Sequence, residues 1–201
     1  WPSLHNVMSR SIRATTGRRL IFCLPMRSLV EQTKAVCEHW LKQLGVSDVR
    51  VHVLMGGAIA NAWDDAPEAD AIIIGTQDQL LSRALNRGYS MSRFRWPIHF
   101  GWLNNDCLWV MDEVQLMGSG LSTSAQLHGL RSKLGTIGPT HTVWMSATLA
   151  PGTLDTVDLR GVERRTQRLE ADDRKALKTR LQAKKPLEQL EADPKKPAAT
   201  A

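Results

Sequence analysis

Five short apolar runs punctuate the chain: "LIFCL" (20–24), "VHVLM" (51–55), "AIIIG" (71–75), "CLWVMD" (107–112) and "TVWMS" (142–146). They are rich in β-branched and aromatic residues, and their length suits strands. Only "VHVLM" carries an interior polar residue. Strands that are apolar on both faces belong to parallel sheets covered by helices. Helical spacing fills the intervals. Residues 27–44 set Leu29, Val30, Val36, Trp40 and Leu44 on one stripe, with Gly45 as C-cap. Further helices are predicted over 77–87, ended by Gly88, over 123–134, and over 171–185, ended by Pro186. Thr123 is placed to cap the third, with Gln126 three residues on. The stretch "GYSMSRFRWPIHFGWLNN" (88–105) has no clean period and reads as an irregular insertion, and the tail "EADPKKPAATA" reads as a linker. Alternation of strand and helix predicts an α/β fold, a doubly wound and mostly parallel sheet flanked by helices.

Composition narrows the class. A length of 201 residues suits one or two domains, and 42% apolar content can fill a sizeable core. No run of 18 apolar residues is present, so no membrane span is expected, and no secretory signal is visible. Cys23, Cys37 and Cys107 are odd in number and form no CxxC pair, which fits small buried hydrophobes in a reducing cytoplasm. The six histidines are scattered without ligand spacing. Charge is uneven: residues 1–159 hold 14 Lys/Arg against 13 Asp/Glu, whereas 160–201 hold 12 against 7. The expected division is therefore a domain over 1–160 and a basic helix with linker over 161–201. That basic segment either meets nucleic-acid phosphates or is a solvated helix. The chain opens on Trp1 rather than Met and reads as a piece of a longer protein.

The chemistry gathers around "DCLWVMDEVQLMGSG" (106–120), where an apolar strand ends in Asp112 and Glu113. Open parallel sheets bind ligands at the carboxyl ends of their strands. Two carboxylates delivered there can hold Mg²⁺ through water and polarise a hydrolytic water, as in the Walker B arrangement of nucleotide hydrolases. The same dipeptide can equally be a solvated strand exit. "WMSATL" (144–149) follows at the end of the next apolar strand, offering the hydroxyls of Ser146 and Thr148. These hydroxyls either bond the carboxylates or cap a turn.

Together "DEVQ" and "SAT" resemble motifs II and III of superfamily 2 helicases of the DEAD/DEAH type. "LPMRSLVEQT" (24–33) is similar to motif Ia, "MGG" (55–57) to the glycine pair that follows it, and "IIIGTQDQLLSRAL" (72–85) to motif Ib. The wording is closest to the CRISPR-associated helicase–nuclease of type I interference systems. The resemblance covers residues 15–190 and implies a RecA-like domain that uses ATP and Mg²⁺. It implies Asp112 for the Mg²⁺ shell, Glu113 for the attacking water, and Gln115, Ser146 and Thr148 for coupling. Gln115 stands where many members have His, and a neutral amide still hydrogen-bonds. For single-stranded DNA it implies Pro25, Arg27, Gly56, Gly57, Thr76 and Gln77. It also implies a CRISPR surveillance complex as partner.

The phosphate-cradling pattern G-x-x-x-x-G-K-[ST] and the "HD" dipeptide of the family's nuclease are both missing from these 201 residues. The chain by itself is therefore expected to be inactive. Two alternatives remain: another superfamily 2 motor, either an RNA helicase or a restriction translocase, and a non-catalytic module that only docks nucleic acid. Trp96 and Trp102, near Arg93 and Arg95, are further candidates for stacking on bases.

Overall fold

The computed structural model describes residues 15–56, 58–59, 63–89, 91–148, 150, 152–168 and 170–183. It divides into two units, Trp1–Val162 and Glu163–Ala201.

The first unit is built on strands β1 (Arg19–Leu24), β2 (Arg50–Met55), β3 (Ala58–Ile59), β4 (Ala71–Thr76), β5 (Cys107–Met111) and β6 (Thr140–Trp144). Their order across the sheet is β3-β2-β4-β1-β5-β6. Five strands run parallel, and the two-residue β3 pairs antiparallel to β2 at one edge. The sheet has the predicted α/β class, and its first four predicted strands are found within one residue of their expected bounds. The fifth begins two residues early and stops at Trp144. Met145 still donates its N–H to the carbonyl of Met111 at 2.8 Å.

Two apolar layers cover the sheet. On one face Ile21, Cys23, Ile73, Trp109 and Met111 meet helices α2 (Gln77–Ala84), α3 (Trp96–Asn104) and α4 (Ser119–Leu134). On the other, Leu24 and Ile74 meet Val30 of α1 (Arg27–Gln43), with Phe22, Val51 and Val53 packed alongside. The alternation along each strand is the pleat sending successive side chains to opposite faces. Apolar strand runs without polar breaks are the sequence's record of that double burial.

The irregular insertion expected over 88–105 is instead ordered. A single 3₁₀ turn, Arg93–Arg95, leads into α3, whose second position is Pro97. Proline fits the first turn of a helix because no N–H is needed there. Helix α3 is apolar nearly all round, so no stripe announces it. Two bonds from Arg19 secure its C-terminal end, and a third ties Arg19 to the loop before β4. Arg19, 7% exposed, donates to the carbonyls of Trp102 (3.2 Å), Pro67 (2.9 Å) and Asn105 (3.1 Å). Such charge-assisted bonds satisfy a buried guanidinium without a carboxylate partner.

Other bounds shift for local reasons. Helix α2 stops at Ala84, and Asn86 turns into the left-handed region (φ 60°). Helix α4 begins at Ser119, so Thr123 lies inside it and donates to the Ser119 carbonyl at 3.0 Å instead of capping. Cys23 and Cys107 are buried and all three cysteines are free, but Cys37 is only half-buried. Burial pushes the Cys107 thiol up to about 11. In the second unit the helix predicted over 171–185 is two short pieces, α5 (Ala171–Ala176) and α6 (Lys178–Leu181). The N–H of Glu170 donates to Asp173 Oδ2 at 3.0 Å, closing the first turn of α5. Among the described residues no helix is long and apolar enough to cross a membrane.

A buried polar cluster fastens the loop before β4 to the 3₁₀ turn and α3. Asp64 accepts from Arg95 Nε at 2.9 Å and lies 2.8 Å from His99 Nε2. Burial would raise the Asp64 carboxyl, but the bonds from Arg95 and His99 outweigh it and hold it below the usual range. His99 is pushed below its ordinary value by burial, with Arg83 and Arg95 adding to the effect and Asp64 opposing it. Burial lowers His52 and His128 as well. A lowered histidine binds fewer protons folded than unfolded, so its share of stability is full above about pH 6.5 and is lost as the pH falls toward the folded value. The melting temperature is therefore expected to drop between about pH 7 and pH 5, and His99→Gln to flatten that drop. Calorimetric melts across this range check it.

Candidate nucleotide and nucleic-acid site

Parallel pairing brings the carboxyl ends of β1, β2, β4, β5 and β6 to one edge of the sheet. The first residue after β5 is Asp112, whose N–H donates to the Cys23 carbonyl at 3.1 Å, extending the β1–β5 ladder by one bond. Glu113 then leaves the strand direction with φ 53° and ψ 43°. A left-handed conformation costs a non-glycine residue about 1–2 kcal/mol. Three bonds hold it. The N–H of Glu113 donates to Asp112 Oδ1 at 2.9 Å, that of Val114 to the Met145 carbonyl at 3.2 Å, and that of Leu116 to the Glu113 carbonyl at 2.9 Å. Val114 and Met117 beneath are buried. The kink turns both half-buried carboxylates onto an open ledge at the strand ends.

A chain of side chains crosses that ledge. Gln115 donates through Nε2 to Glu113 Oε2 and accepts through Oε1 from Ser146 Oγ at 2.5 Å. Ser146 Oγ in turn accepts the Thr148 N–H at 3.1 Å. The acidic pair and the serine–threonine pair therefore share one surface, with Gln115 as the joint between them. An amide that donates one way and accepts the other is suited to this. The Thr148 hydroxyl is not used in the chain; its backbone is.

Neither carboxylate has an ion-pair partner among the described residues. The donor set suits Mg²⁺, a hard cation that keeps several waters and takes one or two carboxylates plus phosphate oxygens. Among the described residues no group of three or more His, Cys, Asp or Glu could hold a metal unaided. A cavity of about 1060 Å³ lies at the opposite, amino-terminal edge, walled by Arg18, Leu20, Ile72, Trp102 and Leu108, away from the acidic pair.

The neighbouring strand ends form a second surface. Pro25 follows β1, and exposed Arg27 opens α1, whose first turn has no acidic residue. Arg27 reaches across the end of β4 to the turn after β2, since a Cβ on Gly56 would fall 2.7 Å from its Nη2. Glycine at 56 thus makes room for the guanidinium, and the two residues predicted separately form one feature. Gly57 lies outside the described residues.

Thr76 and Gln77 are placed differently. Thr76 is 8% exposed at the N-cap of α2 and makes no side-chain cap bond. Gln77 turns onto the start of α4, where a Cβ on Gly120 would lie 2.1 Å from its Oε1, and that oxygen is buried without a hydrogen-bond partner. Asp78 already supplies a negative charge to the first turn of α2. Gln77 therefore packs two helices together, and the anion-friendly helix start is that of α1.

Comparison with known proteins agrees with the fold. The profile of DEAD/DEAH box helicases matches residues 2–157. No curated protein matches the chain. Among solved structures, the DUF1998 helicase MrfA bound to DNA and AMPPNP superposes with a TM-score of 0.51 at 16% identity, over 77% of this chain and 20% of that one. MrfA bound to DNA alone gives the same values. MrfA on its own gives a TM-score of 0.50 at 18% identity, over 77% of this chain and 23% of that one. The chain thus spans about a fifth of the length of these helicases, and at this identity the likeness is one of fold.

The left-handed Glu113 yields a prediction separable from activity. Glu113→Gly relieves about 1–2 kcal/mol of strain and adds back about 0.5–1 kcal/mol of glycine entropy. Thermal denaturation should place it at or above the unmodified chain. Glu113→Val, branched at Cβ, should melt clearly lower. The reverse ranking would mean that the side chain holds the fold.

Proposed function

The chain belongs to the DEAD/DEAH box helicase family, and we propose from this that it is a RecA-like domain of an ATP-dependent DNA helicase or translocase. The observation that carries the reading is the Glu113–Gln115–Ser146–Thr148 chain beside Asp112. When bound, ATP and Mg²⁺ supply the phosphoryl group and the charge that neutralises it. Asp112 would hold Mg²⁺ through water. Glu113 orients and deprotonates the water. Gln115 reads the state of Glu113 and passes it to Ser146, just beyond the end of β6, the strand next in the sheet.

On the neighbouring strand ends, Arg27 and the free N–H groups of α1 grip a backbone phosphate of single-stranded DNA, with Pro25 and Gly56 letting the strand approach. Such contacts give affinity with little sequence preference. The narrower assignment, to the helicase of CRISPR type I interference and its surveillance complex, rests on the wording of "RRLIFCLPMRSLVEQT", "DEVQLMGSGLSTSAQL" and "WMSATL". MrfA is a DNA-bound helicase, which favours DNA over RNA as the track.

Hydrolysis in this reading also needs a phosphate-loop lysine, and no G-x-x-x-x-G-K-[ST] occurs in the 201 residues. The isolated chain should therefore release phosphate from ATP no faster than background. In a longer protein that carries such a loop, Glu113→Gln should lower kcat by about 100-fold or more while nucleotide binding persists. Stimulation by single-stranded DNA rather than RNA is expected. Turnover by the isolated chain that Glu113→Gln abolishes, or strict RNA dependence, would overturn the reading.

A further inference from the structure

Tryptophans 96 and 102 are the aromatics in this region with the largest faces, but neither is open for stacking. Trp102 lies edge-on to Trp63, with centroids 5.8 Å apart, and under the Arg19 guanidinium at 5.6 Å. Trp96 turns its Nε1 into the protein and takes Arg93 over its ring at 5.9 Å. The two most exposed rings in this region are smaller ones, ahead of Phe100 at 36%. Phe94 is 91% exposed and Tyr89 is 60% exposed.

Their exposure comes with order around them. Phe94 is the middle residue of the 3₁₀ turn, between Arg93 and Arg95. Arg95 is tied by two bonds to Asp64, whose side chain is only 3% exposed, and lies 3.8 Å from Asp65. That clamp fixes one side of the turn and leaves Phe94 facing outward. Tyr89 follows Gly88, where a Cβ would fall 1.9 Å from Met91 Sδ, so the loop closes tightly on itself. The Arg87 N–H donates to the Ser82 carbonyl at 2.8 Å, fixing the exit from α2. Arg87 and Arg93 are exposed and have no ion pair among the described residues.

We propose that Tyr89 and Phe94, flanked by Arg87 and Arg93, form a stacking platform for single-stranded nucleic acid, at the end of α2 remote from Thr76. An apolar protein partner would cover the rings but strand two unpaired guanidinium groups in a dry interface. A single strand satisfies both: bases present faces to the rings and phosphates meet the arginines. Of the nearby carboxylates, Asp64 is neutralised by Arg95 and lies within hydrogen-bond distance of His99, and Asp65 sits on the Arg95 side. The Arg95 clamp fixes the backbone beside Phe94, so little main-chain freedom is lost there on binding. The platform extends the nucleic-acid reading given above and rests on it. A strand that reached from the Arg27 surface to the platform would follow α2 for its eight residues, a length of about 12 Å.

The test is fluorescence anisotropy of labelled oligothymidylate with the 201-residue chain, over a salt series. Phe94→Ala and Tyr89→Ala should each weaken binding by about 5- to 150-fold. Phe94→Trp should keep it, and Arg93→Gln should flatten the salt dependence by about 0.7 in log–log slope. Photo-crosslinking with 5-iodouracil should mark residues 87–95. Unchanged affinity in both ring variants, with Arg27→Ala still weakening binding, would overturn the platform alone and leave this face to a protein. Weakening by Phe94→Ala that Phe94→Trp does not restore would also overturn it. Loss in the ring variants with none in Arg27→Ala would keep the platform and remove the strand-end surface. No binding by the unmodified chain would overturn both.

Discussion

The register of β5 against β6 is the constraint on which the candidate site depends. It sets Met111 opposite Trp144, so both strands run out at the same height, and the residues just beyond them can touch. A slip of one residue would exchange the faces of β6. It would turn Trp144 away from Ser124, to which its Nε1 donates at 2.8 Å, and carry Ser146 out of reach of Gln115. The pairing is specified from below by packing. Trp109 is 1% exposed, donates to the Leu103 carbonyl at 2.8 Å and lies under the Arg131 guanidinium at 5.0 Å. Arg131 donates to Asn104 Oδ1 at 2.8 Å, and His128 Nδ1 lies 3.1 Å from Thr142 Oγ1. A buried polar network of this kind allows few alternative arrangements.

The ledge above is built with strain where the core is not. Glu113 has φ 53° one residue past the end of a strand whose last three residues are buried. Only a surrounding structure that over-determines the backbone keeps a glutamate there. Val114 and Met117 do this by filling the core under the kink. Apolar packing thus holds a carboxylate in a position that its own conformational preference resists. Residue 113 is therefore where stability and chemistry make opposite demands.

Much of this was legible in the sequence, and the failures have physical causes. Strands buried on both faces leave runs without polar breaks, so β1, β4 and β5 were plain. The acidic and hydroxyl pairs could be assigned to one edge because parallel strands share a carboxyl end. The link through Gln115 needed side-chain geometry that no spacing encodes. Helix α3 was missed because a helix apolar nearly all round has no stripe. The predicted strand starts two residues late because Thr140 and His141 look polar on an edge strand that is half-exposed along its length. Gln77 was assigned to phosphate from its place in a motif, whereas the absence of a side chain at Gly120, more than forty residues later, drew it onto α4. Arg27 and Gly56 were found individually, but only tertiary structure shows that one makes room for the other.

The outer margin of β6 has a consequence of its own. Among the described residues this strand pairs in the sheet only with β5, and Val143 on it and Met145 just past its end stand 43% and 38% open to water. A margin with unpaired amides and apolar side chains recruits another strand. If that recruit ran parallel, its own terminus would emerge beside Ser146 and Thr148, next to the acidic ledge. Among the described residues, that open margin is a berth from which a seventh strand would hand a loop to the ledge.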